Sequence, residues 1–197
     1  MPDCYKYISK DIGADCNALI QPGVEQKAVI INRADIDMTN VTYDALNPKI
    51  ITALPLLSTK KGFAAVVPGS TPFTGVGSEL QVGTYVNTWN NTVPVVVFDN
   101  GPEVANKVID PLANGEFVIV VENRHKGTLG ASAFQVYGLK QGLRASAGSN
   151  DKYAEETNGG WLVTLTESRA PDSALFLGGA SYSAVKALFD SLLVTAV

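Results

Sequence analysis

A chain of 197 residues with 46% apolar and 17% charged side chains suits one medium-sized domain with a real core. Its charged fraction falls below the roughly 25% of ordinary soluble domains, which points to surface that is covered in the working state. The net charge is −4 and no basic cluster exceeds Lys60-Lys61, which argues against direct nucleic-acid binding.

The N-terminus, Met1-Pro2-Asp3-Cys4-Tyr5-Lys6-Tyr7, lacks the apolar core of a signal peptide. No apolar run approaches the ~20 residues of a membrane span. Cys4 and Cys16 read as free intracellular thiols, with a disulfide or a metal site as the alternatives. Residues 1–23 are polar and irregular, broken by Gly13 and Pro22-Gly23. Ala28-Val29-Ile30-Ile31-Asn32 predicts a strand. Asp35-Ile36-Asp37 invites a calcium reading, but the glycine and terminal glutamate of an EF-hand are missing, so a solvated turn is expected. Ile50-Ile51-Thr52-Ala53-Leu54 is strand-like and ends at Pro55.

Residues 60–83 are rich in Gly, Pro, Thr and Ser, yet carry Phe63, Val66, Val67, Phe73 and Val76. Two readings compete for this stretch: a pair of β-hairpins with wide loops, or a projecting arm that orders against a neighbour. Apolar side chains favour the arm, because a free loop would be more polar. Those five residues are therefore the candidate subunit interface. Deleting residues 71–77 is then expected to leave the monomer folded.

Tyr85-Val86-Asn87-Thr88-Trp89 predicts a strand leading through Asn90-Asn91 into the central unit. That unit begins with the β-branched run 93–98 and the punctuation Asp99-Asn100-Gly101-Pro102. Val104, Val108, Ile109 and Leu112 then fall on one helical face, with Pro102 at a first helical position and Pro111 as the stop. Phe117-Val118-Ile119-Val120-Val121 is a second buried strand. Residues 133–139 form a third, expected to turn at Lys140-Gln141-Gly142 as a hairpin into Leu143-Arg144-Ala145. Residues 146–158 read as a polar loop.

Alternation in residues 161–167 sets Trp161, Val163 and Leu165 on one side. A turn at 169–173, a short strand at 174–177 and a C-terminal helix follow. Ser181 or Ser183 caps that helix, and Tyr182, Val185, Leu188, Phe189, Leu192 and Leu193 form its apolar face. The pattern predicts a mainly β (α+β) chain: one antiparallel β-sandwich or partly open barrel, with one helix packed on it and an amphipathic C-terminal helix.

Catalytic patterns are absent from the sequence. His125 is the only histidine, and no Gly-x-Ser-x-Gly elbow accompanies it. Glu155-Glu156 sits in a polar stretch where carboxylates stay solvated. Gly127-Thr128-Leu129-Gly130 is too short, and precedes no helix, to cradle phosphate. No catalytic residue, cofactor or metal site is expected, and the chain reads as a structural protein and not an enzyme.

The order of elements resembles the tail-tube proteins of tailed bacteriophages, in particular tube-like virion proteins of phages infecting Bacteroidota. The residues that carry it are the strand at 93–98, the helix at 102–112 and the strand at 116–122, followed by FQVYG-x-x-x-GL (134–143) and GGWLVTLT (159–166). Early AVIINRADID (28–37) and PKIITAL (48–54) strands add to it. The resemblance implies hexameric rings that stack around a lumen, one sheet of each subunit joining its neighbours in a continuous barrel. The partners it implies are further copies of this chain and other tail or connector proteins. DNA would pass without specific binding, helped by the net negative charge. The location implied is the virion tail, after synthesis in the host cytoplasm. A different class remains open: a ligand- or carbohydrate-binding β-sandwich module using Trp89, Trp161 and the tyrosines as stacking platforms.

Overall fold

The computed structural model describes residues 8–13 and 19–195. Cys4 and Cys16 lie outside the described residues. Among the described residues eleven strands form two sheets: β1 (Val24–Asn32), β2 (Thr42–Tyr43), β3 (Ile50–Ala53), β4 (Phe63–Val66), β5 (Gly77–Gln81), β6 (Thr88–Val97), β7 (Phe117–Asn123), β8 (Phe134–Tyr137), β9 (Arg144–Ser149), β10 (Trp161–Ala170) and β11 (Leu175–Leu177). The larger sheet has the order β2-β3-β11-β8-β7-β1-β4 and the smaller one β5-β6-β10-β9. Every pairing is antiparallel except β3 with β11. The mainly β sandwich expected from the pattern is the fold observed, and it is not a closed barrel.

Three layers explain the apolar runs. In β1 and β7, successive residues point to opposite faces. Ala28, Ile119 and Val121 meet Val93, Val95, Val163 and Leu165 of the smaller sheet. Val29, Ile31, Val118 and Val120 face the other way, onto the C-terminal helix (Tyr182–Ser191). A strand covered on both faces needs no polar alternation, which is why β7 reads as an unbroken apolar run. Ser181 caps the helix, its Oγ accepting from the Ala184 N–H at 3.3 Å. Val185, Phe189 and Leu192 are buried, with the Phe189 ring 4.8 Å from that of Phe134. The amphipathic face is therefore spent within the subunit.

Several boundaries differ from the expected ones, each for a local reason. The internal helix runs through Pro111 to residue 114, because the segment Ala105–Ile109 is a π-turn. In a regular α-helix the Pro111 ring would collide with the carbonyl one turn back. The wider turn, with the Asp110 N–H donating to Ala105, relieves that conflict. The strand expected at Trp89 and the one at 93–98 are one ten-residue strand, β6. Pro94 is tolerated there because pairing with β5 stops at Thr92, leaving Pro94 one neighbouring strand. Residues 140–142 do not close a hairpin: β8 belongs to the larger sheet and β9 to the smaller, so the chain crosses between layers. β9 also takes the first residues of the expected polar loop, and β10 runs on to Ala170 through a bulge with Arg169 at φ 58°.

Residues 60–83 do not project as an arm. They supply an edge strand to each sheet, β4 beside β1 and β5 beside β6, with the chain passing between the sheets in residues 67–76.

The crossing at 138–143 is held by Glu167, which is 2% exposed on the inner face of β10. One carboxylate oxygen accepts from Asn91 Nδ2 at 2.8 Å and the Gly138 N–H at 3.2 Å. The other accepts from the Gln141 N–H at 2.7 Å. Gly138 has φ 85°, and a Cβ there would stand 2.5 Å from the Phe117 carbonyl oxygen, so no other residue fits.

Elsewhere, Tyr182 donates to Glu122 at 2.6 Å. That bond, with desolvation and neighbouring negative charge, pushes its phenol up to about 12. Burial alone pushes Tyr137 up to about 12.

Two outcomes follow. Glu167→Ala strands two buried N–H donors and a part-buried third and is expected to cost about 3 kcal/mol in denaturant unfolding, with Glu167→Gln costing less because it keeps one acceptor. Both tyrosines hold their protons more tightly folded than unfolded. The stability these two phenols contribute is therefore full below pH 10 and is lost as pH rises from 10 towards 12. Tyr182→Phe should flatten that alkaline loss in thermal melts taken at increasing pH.

Candidate functional site

The polar groups singled out from the sequence are used locally. Asp37 accepts from the Thr39 hydroxyl at 2.6 Å and from Asn40 Nδ2 at 2.7 Å, bonds that hold its carboxyl below the usual range. Asp35 accepts from Asn32 Nδ2 at 2.8 Å and pairs with Lys60 at 3.1 Å. These are the bonds of a structured turn, and the calcium reading has no support in them. His125 is half-buried in the loop after β7. Its neighbours are tied down: Arg124 donates to the Ser70 carbonyl, and Lys126 to Glu25 and Glu122. Glu155 and Glu156 are exposed. Among the described residues, no group of three or more His, Cys, Asp or Glu side chains is placed to hold a metal ion.

Trp89 and Trp161 do not share a platform. Trp161 pairs with Val97 and Trp89 with Ala170, at opposite ends of the β6–β10 ribbon, about 26 Å apart at the usual rise per strand residue.

Three surface features remain. The first is the smaller sheet itself. Neither of its edge strands, β5 or β9, has a further strand paired to it among the described residues, although the end of the internal helix (Asp110–Asn114) runs close to β9, and all six residues of β9 (Arg-Ala-Ser-Ala-Gly-Ser) are exposed. Register places Asn90, Thr92, Thr164, Thr166 and Ser146 on its outer face, with Glu79 and Arg144 towards the two edges. Arg144 is itself bonded to Glu116.

The second feature is an apolar groove of about 720 Å³ between β4, the end of β6 and the internal helix. Phe63, Val66, Phe98 and Val108 line it and stay partly exposed, while Asn32, Asp99 and Lys107 supply its few polar groups. Lys107 is paired with Glu103 at 2.6 Å, and Asp99 accepts from the Gly101 N–H at 2.8 Å. The third feature is the β5–β6 hairpin tip, where Val82, Tyr85 and Val86 are exposed.

Of the five candidate interface residues, the structure leaves Phe63 and Val66 on the surface, 55% and 56% exposed, and Val76 half-buried. Val67 and Phe73 are corrected. Both pack into the core between the sheets, where the crossing segment 67–76 needs apolar contacts of its own to seat its backbone. Removing residues 71–77 would therefore take out core, contrary to the expectation that the monomer survives it. The tip at Val82–Val86 and the β9 edge were missed. The tip had an apolar signal within a strand-like pattern, whereas β9 carries small residues that look like loop.

No protein-family model, curated protein or solved structure matches the chain.

Truncating Phe73, which is 2% exposed, should cost about 3–5 kcal/mol in chemical denaturation. Phe63→Ser should stay within about 0.5 kcal/mol of the parent. Equal costs would return Phe73 to the surface.

Proposed function

We propose that this chain is a non-enzymatic structural subunit of a phage tail tube, assembling through its smaller sheet into rings around a lumen through which DNA passes. The observation that carries this reading is the pair of open edges on that sheet. A strand edge presents a row of unpaired N–H and C=O groups. Proteins that stay monomeric blunt such edges with charges, proline, bulges or a covering loop. β9 carries one charge, Arg144, and a bulge at Ser146 but no proline, so Ala147–Ser149 is its unblunted part, and β5 carries one charge, Glu79.

Pairing β9 of one copy with β5 of the next satisfies both rows at once, and rotation through identical contacts closes a ring. The covered face of the sheet already packs on the larger sheet, so the outer face would line the lumen. That face is close to neutral, with Thr, Ser and Asn presented to a passing polyanion. Neutrality suits passage without capture, because it offers no cationic row for phosphates to dwell on. The net negative charge of the chain lies elsewhere and is not what this face would use.

A ligand-binding module is the second reading, and only the groove favours it. An apolar groove holds a small molecule as readily as a protein segment.

Negative-stain microscopy of the concentrated protein, beside its mass in solution, separates the two. Rings or tubes with a central hole are expected, and a monomer at every concentration would overturn the assembly reading. Ala147→Pro and Gly148→Pro locate the contact. Successive N–H groups in a strand point to opposite sides, so one of these prolines faces β10 and the other the open edge. The edge-facing variant should stay folded and lose the rings.

A further inference from the structure

We infer that the β5–β6 hairpin tip of one copy seats in the apolar groove of a second copy, so that subunits join end to end along the direction of β6. Tip and groove are complementary in chemistry. Tyr85 is 97% exposed, Val82 82% and Val86 72%, at the end of a ribbon where solvent should favour polar residues. No charged residue occurs from Leu80 to Phe98, a stretch that includes the tip, all of β6 and one wall of the groove. The polar groups at the groove have partners within their own chain, Lys107 with Glu103 and Asp99 with the Gly101 N–H. The Lys107 charge is thus paired, and among the described residues the one uncompensated charge at the rim is the Asp99 carboxylate, a ready acceptor for a hydroxyl. Tyrosine fits such a place, its ring against apolar walls and its hydroxyl within reach of a polar rim. The tip is also pre-shaped. A Cβ on Gly83 would stand 2.3 Å from the Val86 carbonyl oxygen, so the turn closes tightly on itself.

Geometry makes the contact intermolecular. The tip precedes Thr88, and the groove is lined by Val95, Val96, Val97 and Phe98, so the two lie at opposite ends of one strand. At the usual rise of a strand this is about 30 Å, which a tight hairpin turn cannot span back over its own ribbon. The contact joins two different patches and leaves a free tip and a free groove at the ends of every open complex, so along the direction of β6 it propagates. It does not rest on lateral ring closure, because the β9 edge takes no part in it. In a ring-forming subunit it would link one ring to the next.

The test places benzoylphenylalanine at position 85 in full-length protein made as a mixed pool of light and nitrogen-15-labelled copies. Irradiation should yield light–heavy crosslinks from position 85 to residues 63–66 or 104–112. Crosslinks within one copy, crosslinks to other surfaces, or none at the highest attainable concentration would each overturn the inference. In sedimentation, Tyr85→Asp and Phe63→Asp should each weaken end-to-end association at least tenfold with the melting temperature kept. Both side chains are exposed, so neither change disturbs the core. The edge-facing proline on β9 should leave the crosslink intact, which separates failure of this contact from failure of the rings.

Discussion

The Glu167 carboxylate is a buried point at which the two sheets are tied to one another by polar bonds. It hangs from β10, takes an N–H from Asn91 on β6, and takes two backbone N–H groups from the turn that carries the chain out of β8 and into β9. Burying such a group is costly unless its lone pairs are filled, and here three donors occupy three of the roughly four sites. Arg33 holds the same turn from outside, donating to the carbonyls of Leu139 and Lys140. A turn fixed from both sides leaves β9 one place to go. It must pair with β10 at the rim of the smaller sheet, with its far side open.

From that constraint the rest of the architecture follows. The larger sheet is buried on both faces, by the smaller sheet and by the C-terminal helix, and so carries most of the core. The smaller sheet is covered on one face only. Its outer face and its two edge strands are a regular surface to which the fold adds no further strand or sheet among the described residues. The larger sheet ends in β4, whose exposed residues instead form a wall of the groove. One sheet therefore supplies stability and the other is left available, a division that suits a subunit whose stability does not depend on the contacts it offers.

Much of this was legible in the residues. The run 117–121 announces a strand buried on both sides, and Ser181 with the spacing of Val185, Phe189 and Leu192 announces the last helix and its covered face. The features that escaped did so for identifiable physical reasons. Glu167, in Thr-Glu-Ser-Arg, looks like a solvated strand end, because its three donors come from residues 26 to 76 positions away. Phe73 looked like an exposed anchor because its surroundings are Gly, Pro and Thr, yet a chain crossing between sheets has to bring its own apolar plug. Pro111 signals a stop only while the helix is taken as a regular α-helix, and a π-turn removes that premise. β9 gives no periodic signal, since Ala, Ser and Gly alternate nothing that burial can sort. The open edge, on which the proposed assembly depends, was thus the part of the surface least visible in advance.

The distribution of charge gives a physical reason for the low charged fraction. Glu116 is shared by Arg33 and Arg144, Lys126 by Glu25 and Glu122, and Asp190 by Lys27 and Lys186. Exposed pairs of this kind contribute little to stability. What they do is tie charged side chains to one another within the subunit, which leaves long stretches charge-free. The longest such stretch, 80–98, includes the tip, a central strand of the smaller sheet and part of the groove. A solitary soluble domain gains nothing from a charge-free ribbon that runs from one end of the molecule to the other, and the exposure of its tip counts against solubility. A subunit that meets copies of itself at the sides of that sheet and at both of its ends gains on every face, because charges there would have to be stripped of water at each contact.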